Sequence, residues 1–371
     1  MIVLHAAPLN AREIGGPHVS VPALIAAQRR CGDAVPGLLL TGPNAEGSPE
    51  WDFPVFARRS LRQGRIKALP APFCRPDLVV LHGTYLPVHE RIARQLRAAA
   101  IPYVVCPRGG MTRFAQQCRW WKKRLANLLF FNRLVAGATA IHCLTQGEAE
   151  ASRGWGRPVF VVGNGTDLPP RDALATPGRG AGLRLVFVGR LEVKIKGLDL
   201  LLEACARVRA QLQAAGVRVE LYGPDHRGSV KTLAARIDRL GLQGIVALGG
   251  TVAGEAKHAA LRSADVFLHP SRSEGHPMAV LEALAHGVPC LLTPNTNMAA
   301  EVATAGAGWQ VEPSAESIAA GLAAIVSSDR GGLAQAGIHA RRLAATEYDW
   351  SSVARRTIAA YRDWTIVRRA A

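Results

Sequence analysis

The sequence predicts an α/β protein made of two domains, each built on a parallel sheet. The chain has 371 residues, which is more than one hydrophobic core usually supports. Short apolar runs alternate with helical stretches, the pattern of parallel strands joined by crossover helices. This pattern occurs twice, and a segment rich in proline and glycine separates the two series. We therefore expect two Rossmann-like units.

The first series contains six predicted strands and four predicted helices. The strands are 2–5, 37–40, 78–81, 103–106, 140–143 and 158–162, and the helices are 19–30, 88–99, 119–135 and 146–152. The strands are short apolar runs, as expected where helices cover both faces of a parallel sheet. This domain is expected to span residues 1–170.

The second series follows a linker. Residues 167–182 hold three prolines and three glycines, which favour neither a helix nor a strand. The strands predicted after it are 183–188, 217–222, 245–248, 266–269 and 289–292, and the helices are 197–213, 229–240, 254–263 and 278–286. This domain is expected to span residues 183–345. The terminal segment 346–371 is expected to contain one more helix, at 350–364.

The net charge of +17 lies mainly in the first domain. Residues 1–165 carry 21 Lys and Arg against 9 Asp and Glu, whereas the remainder carries 24 against 19. Such an uneven charge favours anionic partners: phosphates, acidic lipid or nucleic acid. No helix-turn-helix, zinc-finger or RNP-like motif accompanies it, so nucleic-acid binding is the weaker interpretation.

Cysteine usage and hydropathy indicate the compartment. The seven cysteines are scattered without a Cys-x-x-Cys pair, which argues against a disulfide framework or a zinc site and fits a reducing cytoplasm. The first residues run directly into a predicted strand, so we expect no signal peptide. No uninterrupted run of about 18 apolar residues occurs, so we expect a protein that is soluble or peripheral at a membrane.

The densest group of candidate residues lies at 266–286. A predicted strand ends at His269, a loop carries Glu274, and Pro277 stands where the next helix should begin. A helix N-terminus at the carboxyl end of a parallel strand offers N–H groups and a positive dipole end to a phosphate. Glu282 follows Glu274 by eight positions, and the two carboxylates can accept hydrogen bonds from sugar hydroxyls. Taken alone, either is better explained as a helix-terminal or solvated charge.

Two further loops carry residue types that bind phosphate. After the strand 183–188, Arg190 offers a planar fork and Lys196 a mobile charge that can neutralise a departing diphosphate, although basic residues there are often only solvated. Gly15 and Gly16 form a turn in which the backbone can approach a phosphate closely. The full Gly-x-Gly-x-x-Gly fingerprint is absent, which argues against a nicotinamide enzyme.

Together these residues resemble glycosyltransferase family 4. Glu274 and Glu282 form its Glu-x7-Glu motif, and Arg190 with Lys196 matches its paired basic motif. Further matches are Gly15-Gly16, Gly189, Gly197, Tyr222-Gly223-Pro224, and the segments 271–285 and 287–289. His276 departs from the pattern, because an aromatic residue is commoner at that position. The segments 107–111, 121–123 and 164–169 resemble a bacterial exopolysaccharide and lipopolysaccharide branch of the family.

The resemblance implies the GT-B fold, in which two Rossmann-like domains face each other across a cleft and the C-terminal helix crosses back to the first domain. It implies that the first domain binds the acceptor and the second binds the nucleotide sugar. It implies retaining transfer of a sugar from a UDP- or GDP-linked donor to a glycan or lipid-linked acceptor in bacterial surface polysaccharide synthesis. The enzyme would be cytoplasmic and peripheral on the inner face of the plasma membrane. No Asp-x-Asp occurs, so no metal is expected. The sugar nucleotide is a substrate, so no cofactor is expected either.

The resemblance also implies a role for each site residue. Glu282 would hold the donor ribose, and Glu274 would bind hydroxyls of the transferred sugar. Arg190 and Lys196 would bind the diphosphate, and Gly16 would bring its N–H to the distal phosphate. The remaining donor contacts would be Gly15, Gly189, Gly223, Pro224, Val252, His276 and Met278.

The implied mechanism is attack by the acceptor hydroxyl while the diphosphate departs on the same side and a donor phosphate oxygen takes the proton. No protein nucleophile is needed, so the two carboxylates are not the pair of a retaining glycosidase. The helix dipole, Arg190 and Lys196 would supply the electrostatic stabilisation that a metal gives elsewhere. Arg108 stands where many relatives carry a histidine facing the sugar, and a cation there could stabilise the reacting centre or a polar acceptor.

The segment 119–134 is a second candidate site. It combines aromatic residues with a basic cluster: Trp120, Trp121, Lys122, Lys123, Arg124, Phe130 and Phe131. Such a helix suits an anionic membrane surface, where lipid-linked acceptors reside. The alternative is a Rossmann helix that packs Trp121, Leu125, Leu128 and Leu129 on its sheet. Both interpretations stay open, because they could hold for opposite faces.

Three histidines and two competing functions complete the predictions. His5 and His142 are expected in the core or at strand ends, whereas His82 follows a predicted strand and could face the cleft.

Another GT-B enzyme, such as a sugar-nucleotide epimerase, is disfavoured by the basic pair and the Glu-x7-Glu motif. A basic nucleic-acid- or polyanion-binding protein would explain the charge alone.

Overall fold

The structure is a computed structural model that describes residues 1–9, 15–42, 51–57, 66–117, 120–178 and 182–367. Contacts divide the chain into two compact units: Met1–Gly165 with Trp350–Ala371, and Thr166–Asp349. Each unit contains one parallel sheet flanked by helices, which confirms the predicted α/β class with two Rossmann-like domains. Residues 10–14, which precede the Gly15-Gly16 pair, and Arg119 lie outside the described residues.

The first unit is built on a seven-stranded parallel sheet. Its strands are β1 (Ile2–Ala7), β2 (Val35–Leu40), β3 (Val55–Ala57), β4 (Leu78–His82), β5 (Tyr103–Cys106), β6 (Ala140–Cys143) and β7 (Val159–Val161). Their order in the sheet is β3-β2-β1-β4-β5-β6-β7. Because the order reverses between β1 and β4, the carboxyl ends of these strands border the crevice in which open α/β sheets bind ligands.

Helices connect these strands. They are α1 (Gly16–Arg30), α2 (Pro87–Ala98), α3 (Arg113–Gln117), α4 (Trp120–Ala126), α5 (Asn132–Ala136) and α6 (Gln146–Ser152). A π-helical turn, Asn127–Phe131, joins α4 to α5. The first turns of α1 and α2 contain a proline, whose missing N–H would have no partner there in any case.

The second unit is built on a six-stranded parallel sheet. Its strands are β8 (Arg184–Val188), β9 (Arg218–Tyr222), β10 (Val246–Gly250), β11 (Val266–His269), β12 (Cys290–Leu292) and β13 (Gly308–Gln310). Their order is β10-β9-β8-β11-β12-β13, so this sheet reverses between β8 and β11. Its helices are α7 (Leu198–Arg207), α8 (Arg209–Ala214), α9 (Ser229–Arg239), α10 (Gly254–Arg262), α11 (Met278–Ala285), α12 (Ala299–Thr304), α13 (Ala315–Ser327) and α14 (Arg330–Glu347).

The central strands of the second sheet, β8, β11 and β12, are buried on both faces. Leu185 and Phe187 of β8 belong to one apolar cluster, and Val186 and Val188 belong to another. Successive side chains of a strand point to opposite faces, so each face receives every second residue and needs its own cover of helices. This explains why these strands read as continuous apolar runs.

The last helix, α15 (Trp350–Val367), belongs to the first unit. Its Ile358 and Tyr361 are buried in a cluster with Val3 and Val104 of the first sheet. The hydroxyl of Tyr361 lies 3.1 Å from Nδ1 of His142. This helix therefore packs on the first domain, as the family resemblance implies.

Several elements differ from the sequence pattern. The predicted helix 197–213 is interrupted at Val208, which separates α7 from α8. Strands β3 and β13 were not predicted. Helices α12, α13 and α14 were also not predicted, because their alanine-rich sequences give little contrast between apolar and polar faces.

The predicted linker 167–182 is held against the second unit, as far as it is described. The N–H of Gly178 donates to Asp265 Oδ1 at 2.6 Å, and the N–H of Ala175 donates to the carbonyl of His286 at 2.8 Å. Residues 179–181 lie outside the described part of the chain. Of the helices that the structure describes, none is both long enough and apolar enough to span a bilayer.

Candidate active site

The predicted donor-site residues of the second unit lie at the carboxyl edge of its sheet. Gly189 and Arg190 follow β8, Gly223 and Pro224 follow β9, and Glu274 lies in the loop after β11. Parallel strands all end at one edge, so residues that are far apart in sequence come together there. Strands β8 and β11 are also the pair between which the strand order reverses. The site therefore lies where the topology of this sheet predicts a ligand crevice.

Glu274 is held by three side chains. Its Oε1 accepts hydrogen bonds from Lys196 Nζ at 2.5 Å, from Ser271 Oγ at 2.9 Å and from His269 Nε2 at 2.9 Å. The side chains of Glu274 and Lys196 are only 13% and 14% exposed. Among the described residues, no hydrogen bond reaches its second oxygen, Oε2. That oxygen remains available to a ligand hydroxyl.

The surroundings of Glu274 keep it ionised. Burial alone would raise the pKa of this carboxyl, but the charge of Lys196 and the hydrogen bond from His269 outweigh burial and lower the pKa well below its ordinary value. An ionised acceptor makes stronger hydrogen bonds to hydroxyl groups than a neutral one does. Glu274 is therefore a fixed anion suited to binding a polyhydroxy ligand.

His269 is a site residue that the sequence pattern indicated only as the end of a strand. Its buried ring stacks with Phe187 and Phe267, whose centroids are 5.6 and 5.9 Å away. Burial lowers the pKa of its imidazole, so the ring is neutral and Nε2 must carry the proton that Glu274 accepts. Within the described residues, its Nδ1 has no partner. The available signal was a polar residue closing a buried strand five positions before a glutamate.

A second group of ion pairs ties the loop of Lys196 to the loop of Glu274. Asp199, at the start of α7, accepts two bonds from Arg272, at 2.7 and 3.2 Å, and one from Lys194 at 3.0 Å. Burial opposes ionisation of Asp199, but these cations lower its pKa. A bidentate pair fixes orientation as well as distance. The bidentate Arg272–Asp199 pair therefore links the loop of Lys196 to the loop of Glu274, and motif reading does not identify it.

Two glycines allow loops at this edge to approach each other closely. Gly197 and Gly223 have φ values of +67° and +151°. A Cβ on Gly197 would overlap the carbonyl oxygen of Pro270, and a Cβ on Gly223 would overlap that of Gly189. Only glycine satisfies both the backbone conformation and the spacing.

Arg190 and Lys196 occupy different surroundings. Arg190 is 51% exposed and its NH2 pairs with Glu192 Oε2 at 2.7 Å, whereas Lys196 is buried against Glu274. An exposed pair contributes little to stability. Breaking the Arg190–Glu192 pair therefore costs little free energy, so Arg190 can bind a phosphate in place of Glu192. The side chain of Lys196 is instead already held in one position by Glu274.

Glu282 lies on α11, which begins at Met278. Pro277 occupies the N-cap position, and the helix begins at Met278, where the sequence pattern predicts it. Oε1 of Glu282 accepts a hydrogen bond from Nζ of Lys257 on α10, at 2.7 Å. Lys257 is a further residue that no motif indicated, because its contact with Glu282 spans two helices.

The other predicted donor contacts of the second unit are mainly packing residues. His276 is buried, and its ring meets that of Tyr348 at 61° with centroids 5.5 Å apart. Val252, which follows β10, and Met278 are partly buried against the adjoining apolar cluster.

In the first unit, Gly15 and Gly16 lie at the N-terminus of α1. Gly15 is the N-cap residue and offers no side-chain cap. Among the described residues, nothing would lie within 4 Å of a Cβ on Gly16, so none of them crowds the backbone there. The first N–H groups of a helix have no intrahelical partner, and those of this helix can therefore be offered to a ligand.

Arg108 follows β5 and is held by buried neutral side chains. Its Nε–H donates to His82 Nδ1 at 3.1 Å, and its NH1 donates to Ser20 Oγ at 2.8 Å and to Asn164 Oδ1 at 3.4 Å. The structure thus brings together two residues that the sequence singled out, Arg108 and His82, and adds Ser20 and Asn164. His5 is buried, as predicted.

Two family models match the chain one after the other. A glycosyl transferase 4-like domain matches residues 15–165, and a glycosyl transferases group 1 domain matches residues 182–362. The chain belongs to the family 4 glycosyltransferases. The two matched segments correspond to the two sheets described above, which agrees with the motifs that carried the resemblance.

Curated relatives of this glycosyltransferase match it over part of their length. The putative colanic acid biosynthesis glycosyltransferase WcaL of Salmonella typhimurium is 31% identical over 204 residues, 53% of this chain and 49% of that protein. An α-(1→4)-mannosyltransferase of Mycolicibacterium hassiacum is 30% identical over 262 residues, 66% of this chain and 60% of that protein. The chain thus spans about half the length of WcaL.

Solved structures of low sequence identity share the fold over the whole chain. HepE of Anabaena, in complex with UDP and glucose, superposes with a TM-score of 0.73 at 19% identity, covering 98% of this chain and all of that one. WaaG, a glycosyltransferase of lipopolysaccharide biosynthesis, has a TM-score of 0.68 at 18% identity, covering 96% and 98%. These likenesses confirm the GT-B fold for this glycosyltransferase.

The helical segment 120–131 of the glycosyltransferase presents an apolar face to solvent. Trp120 and Trp121 are each 57% exposed, and Leu125, Leu128 and Leu129 are 52%, 76% and 62% exposed. The alternative that packs four of these residues on the sheet is therefore wrong. We call the five residues the exposed apolar face.

The opposite side of the same segment packs into the first unit. Phe131 is fully buried, together with Leu134 of α5, and Phe130 is partly buried against the same cluster. Phe130 and Phe131 therefore do not join the exposed apolar face, contrary to the sequence interpretation. The physical reason is the π-helical turn, which places them on the side of the core.

The basic residues of this segment differ in their contacts. Lys122 Nζ lies 5.2 Å from the centroid of the Trp121 ring, and the Arg124 guanidinium lies 5.8 Å from that of Trp120. Both side chains are exposed. Lys123 is instead partly buried, and its Nζ lies over the Tyr85 ring and donates to the carbonyl of Ala115. Lys122 and Arg124 are thus the cations that accompany the exposed apolar face.

Proposed function

We propose that this glycosyltransferase moves a sugar, with retention of anomeric configuration, from a UDP- or GDP-linked donor to a glycan or lipid-linked acceptor in bacterial surface polysaccharide synthesis. The observation that carries the proposal is the buried Lys196–Glu274 pair at the carboxyl edge of the second sheet. It puts a cation for a departing diphosphate beside an ionised acceptor for sugar hydroxyls. The names of relatives, colanic acid and amylovoran biosynthesis glycosyltransferases, support the acceptor class.

The donor is assigned to the second unit. The first N–H groups of α11 lack intrahelical partners, and the positive end of its dipole favours a phosphate. Lys257 holds one oxygen of Glu282, which leaves the other for the ribose hydroxyls. Pro224 and Val252 follow the adjoining strands, where the base would lie. The roles that the resemblance implies for Gly16 and Arg108 stay predictions.

The chemistry proposed is a substitution on one face of the sugar. The bond from the anomeric carbon to the diphosphate breaks, and its electron pair leaves with the diphosphate. The acceptor oxygen forms the new bond on the same face, and its proton passes to a donor phosphate oxygen. Lys196 and the first turn of α11 stabilise the negative charge that develops on the leaving group. Glu274 orients the sugar.

Binding of nucleoside diphosphates tests the donor assignment directly. We expect UDP or GDP, and not both equally, to raise the midpoint of thermal unfolding, since a ligand at about 100 times its Kd stabilises by about 2.7 kcal/mol. Glu282→Gln should weaken this shift, whereas Glu316→Gln, an exposed residue of α13, should not change it. No shift with any nucleoside diphosphate or sugar nucleotide would contradict the proposal and favour a polyanion-binding protein.

Chelation tests the proposal that no metal takes part. We expect EDTA to leave the transfer rate largely intact, because Lys196 and the helix dipole supply the charge stabilisation. The sequence has no Asp-x-Asp, and among the described residues no group of three or more His, Cys, Asp and Glu is arranged to hold a metal ion. Loss of activity on chelation that Mg²⁺ or Mn²⁺ restores would refute this part of the mechanism.

We further propose that the first unit attaches reversibly to an anionic membrane surface. The exposed apolar face supplies side chains that can enter the headgroup region, and Lys122 and Arg124 accompany it. Residues 1–165 carry 12 more basic than acidic residues, which adds longer-range attraction. Each basic residue near an acidic lipid surface contributes about 1 kcal/mol, so the attachment is peripheral.

Vesicle sedimentation tests this attachment. We expect the protein to sediment with anionic vesicles at low salt, to be released at high salt and to ignore neutral vesicles. Lys122→Glu with Arg124→Glu should abolish sedimentation and spare nucleoside diphosphate binding. The matched control is Arg91→Glu with Arg94→Glu, which changes the charge equally at exposed positions of α2. If both double variants lose binding to the same extent, only the overall charge matters and the proposed surface is wrong.

A further inference from the structure

The guanidinium of Arg108 is a cation without an ion-pair partner among the described residues of the first unit. Its three hydrogen-bond acceptors are all neutral groups: His82, Ser20 and Asn164. Arg97, another partly buried arginine of this unit, pairs with Glu90 at 2.7 Å. A partly buried charge that no opposite charge balances is costly, and such groups concentrate at functional sites.

The adjacent buried carboxylate, Glu148, makes no direct hydrogen bond or ion pair with Arg108. Glu148 accepts hydrogen bonds from the N–H of Gly109 and, at 2.8 Å, from the N–H of Leu144. Burial raises the pKa of this carboxyl, although those bonds and the nearby charge of Arg108 act to lower it. Its contact with Gly109 anchors the backbone directly after Arg108. Glu148 therefore holds the loop and leaves the guanidinium unpaired.

The backbone at Arg108 is held in an uncommon conformation. Its φ is +51°, in the left-handed region that residues other than glycine seldom adopt. The turn is also tightly packed two residues later, where a Cβ on Gly110 would overlap the side chain of Thr84. Such conformations persist only where the surrounding structure imposes them, and they are found preferentially at ligand sites.

A chain of buried histidines fixes the orientation of the guanidinium. Since Arg108 Nε–H donates to Nδ1 of His82, the other nitrogen of His82 carries its proton and donates to Nδ1 of His5 at 3.0 Å. His5 then donates from Nε2 to Gln28 Oε1 at 2.9 Å. Burial lowers the pKa of His5 to about 3 and the pKa of His82 well below its ordinary value. Both rings are neutral, so each tautomer is set by its neighbours.

These contacts leave one nitrogen of the guanidinium without a hydrogen bond among the described residues. Nε–H and both N–H groups of NH1 are directed to His82, Ser20 and Asn164, while NH2 makes no hydrogen bond within the described residues. Arg108 follows β5, next to β4, which borders the reversal point of the sheet. An oriented cation with free donors at such an edge is suited to a planar or tetrahedral oxyanion.

We propose that Arg108 binds an oxyanion, a carboxylate or a phosphate, on the acceptor substrate that the first unit takes. The identification of the ligand as an acceptor rests on the proposed function, but the binding of an anion at Arg108 does not. The carboxylate would belong to an acidic sugar of the glycan, and the phosphate to a lipid-linked acceptor. His82 and His5 are positioning residues that hold the guanidinium.

Titration of small anions against the full chain tests this site without any turnover. The probes are D-glucuronate, sn-glycerol 3-phosphate and, as the uncharged match, D-glucose, followed by NMR or calorimetry. We expect at least one anion to bind wild type about tenfold more tightly than glucose, as a charge-assisted hydrogen bond supplies. Preference for glucuronate indicates an acidic sugar, and preference for glycerol phosphate indicates a phosphorylated acceptor.

Arg108→Met should remove the preference for the anion, whereas Arg94→Met, an exposed arginine of α2, should keep it. Arg108→Gln keeps a donor towards Ser20 or Asn164 without the charge, and it replaces the methionine variant if that protein does not fold. A folded Arg108 variant that binds the anions as wild type does would overturn the proposal, as would anions that bind wild type no better than glucose. The donor assignment fails separately, when no nucleoside diphosphate binds.

Discussion

Replacing Lys196 with alanine is expected to lower kcat by at least ~100-fold, the factor typical of a lost preorganised electrostatic group. The buried Nζ of Lys196 lies 2.5 Å from Glu274 Oε1 and is fixed before the donor binds. Its positive charge stabilises the negative charge that develops on the departing diphosphate. In a buried site this electrostatic stabilisation is stronger than it would be in water. The measurement is the steady-state rate of sugar transfer, with a donor that carries the nucleoside diphosphate found to raise the midpoint of thermal unfolding.

The same loop provides a matched control for Lys196→Ala. Lys194 is 81% exposed and pairs with Asp199 at 3.0 Å, so Lys194→Ala removes an equal charge two residues away. We expect this control to retain nearly all activity. Lys196→Gln can still donate a hydrogen bond to Glu274 but carries no charge. Its kcat should therefore fall as far as that of the alanine variant. Near-normal turnover by a folded Lys196→Gln protein would show that the charge is not used.

The pH dependence of stability gives an independent readout of the same pair. The pKa of Glu274 is lower in the folded protein than its ordinary value of 4.5, so the ionised carboxylate stabilises the fold above that pH. This contribution is lost as the pH falls below 4.5. In Lys196→Ala the pKa of Glu274 should be lowered less. The free energy of unfolding of this variant should therefore depend less steeply on pH below 4.5.

Gly223→Ala is expected to lower kcat/KM by ~100-fold, because it separates loops that must lie in contact. A Cβ at this position would overlap the carbonyl oxygen of Gly189, directly before Arg190. The backbone can accommodate it only by shifting the loops after β8 and β9. Overpacking of this kind also costs about 1–3 kcal/mol of stability. Steady-state kinetics and thermal unfolding of the variant measure the two effects.

Gly244 provides the comparison for Gly223. It has a positive φ of +82°, but a Cβ there would have no atom of the described residues within 4 Å. Gly244→Ala should therefore lose stability through backbone strain, about 1–2 kcal/mol, and keep its kcat/KM. If Gly223→Ala retains activity while losing no more stability than this control, the close approach of the two loops has no functional role.

Much of the donor site follows from short segments of sequence. Glu274 and Glu282, and likewise Arg190 and Lys196, lie within single strand–loop–helix units, where a few residues specify both the element and its exposed end. Because every strand of the sheet runs in the same direction, assigning the strands also places these loops at one edge. The alternation of strands and helices is likewise a local property of the sequence, and it was sufficient to predict two Rossmann-like domains.

The contacts that position these residues involve partners far apart in the chain. Arg272 pairs with Asp199, and Lys257 with Glu282, across separate elements whose packing no local period encodes. His269 had a sequence signal only as the end of a strand. Its role arises from the stacking of Phe187 and Phe267 and from the proton that it offers Glu274.

The segment 120–131 shows most clearly which properties follow from the sequence and which follow from tertiary packing. Its sequence determined that the helix is both apolar and basic, which leaves a membrane surface and a packed sheet equally open. The tertiary structure decided which side faces solvent, because the π-helical turn directs Phe131 into the core and leaves Leu128 exposed. Composition and period thus determined the fold class, the motifs and the charge of this protein. Burial, pairing and the orientation of each side chain depend on which elements pack together, and only the folded chain supplies that information.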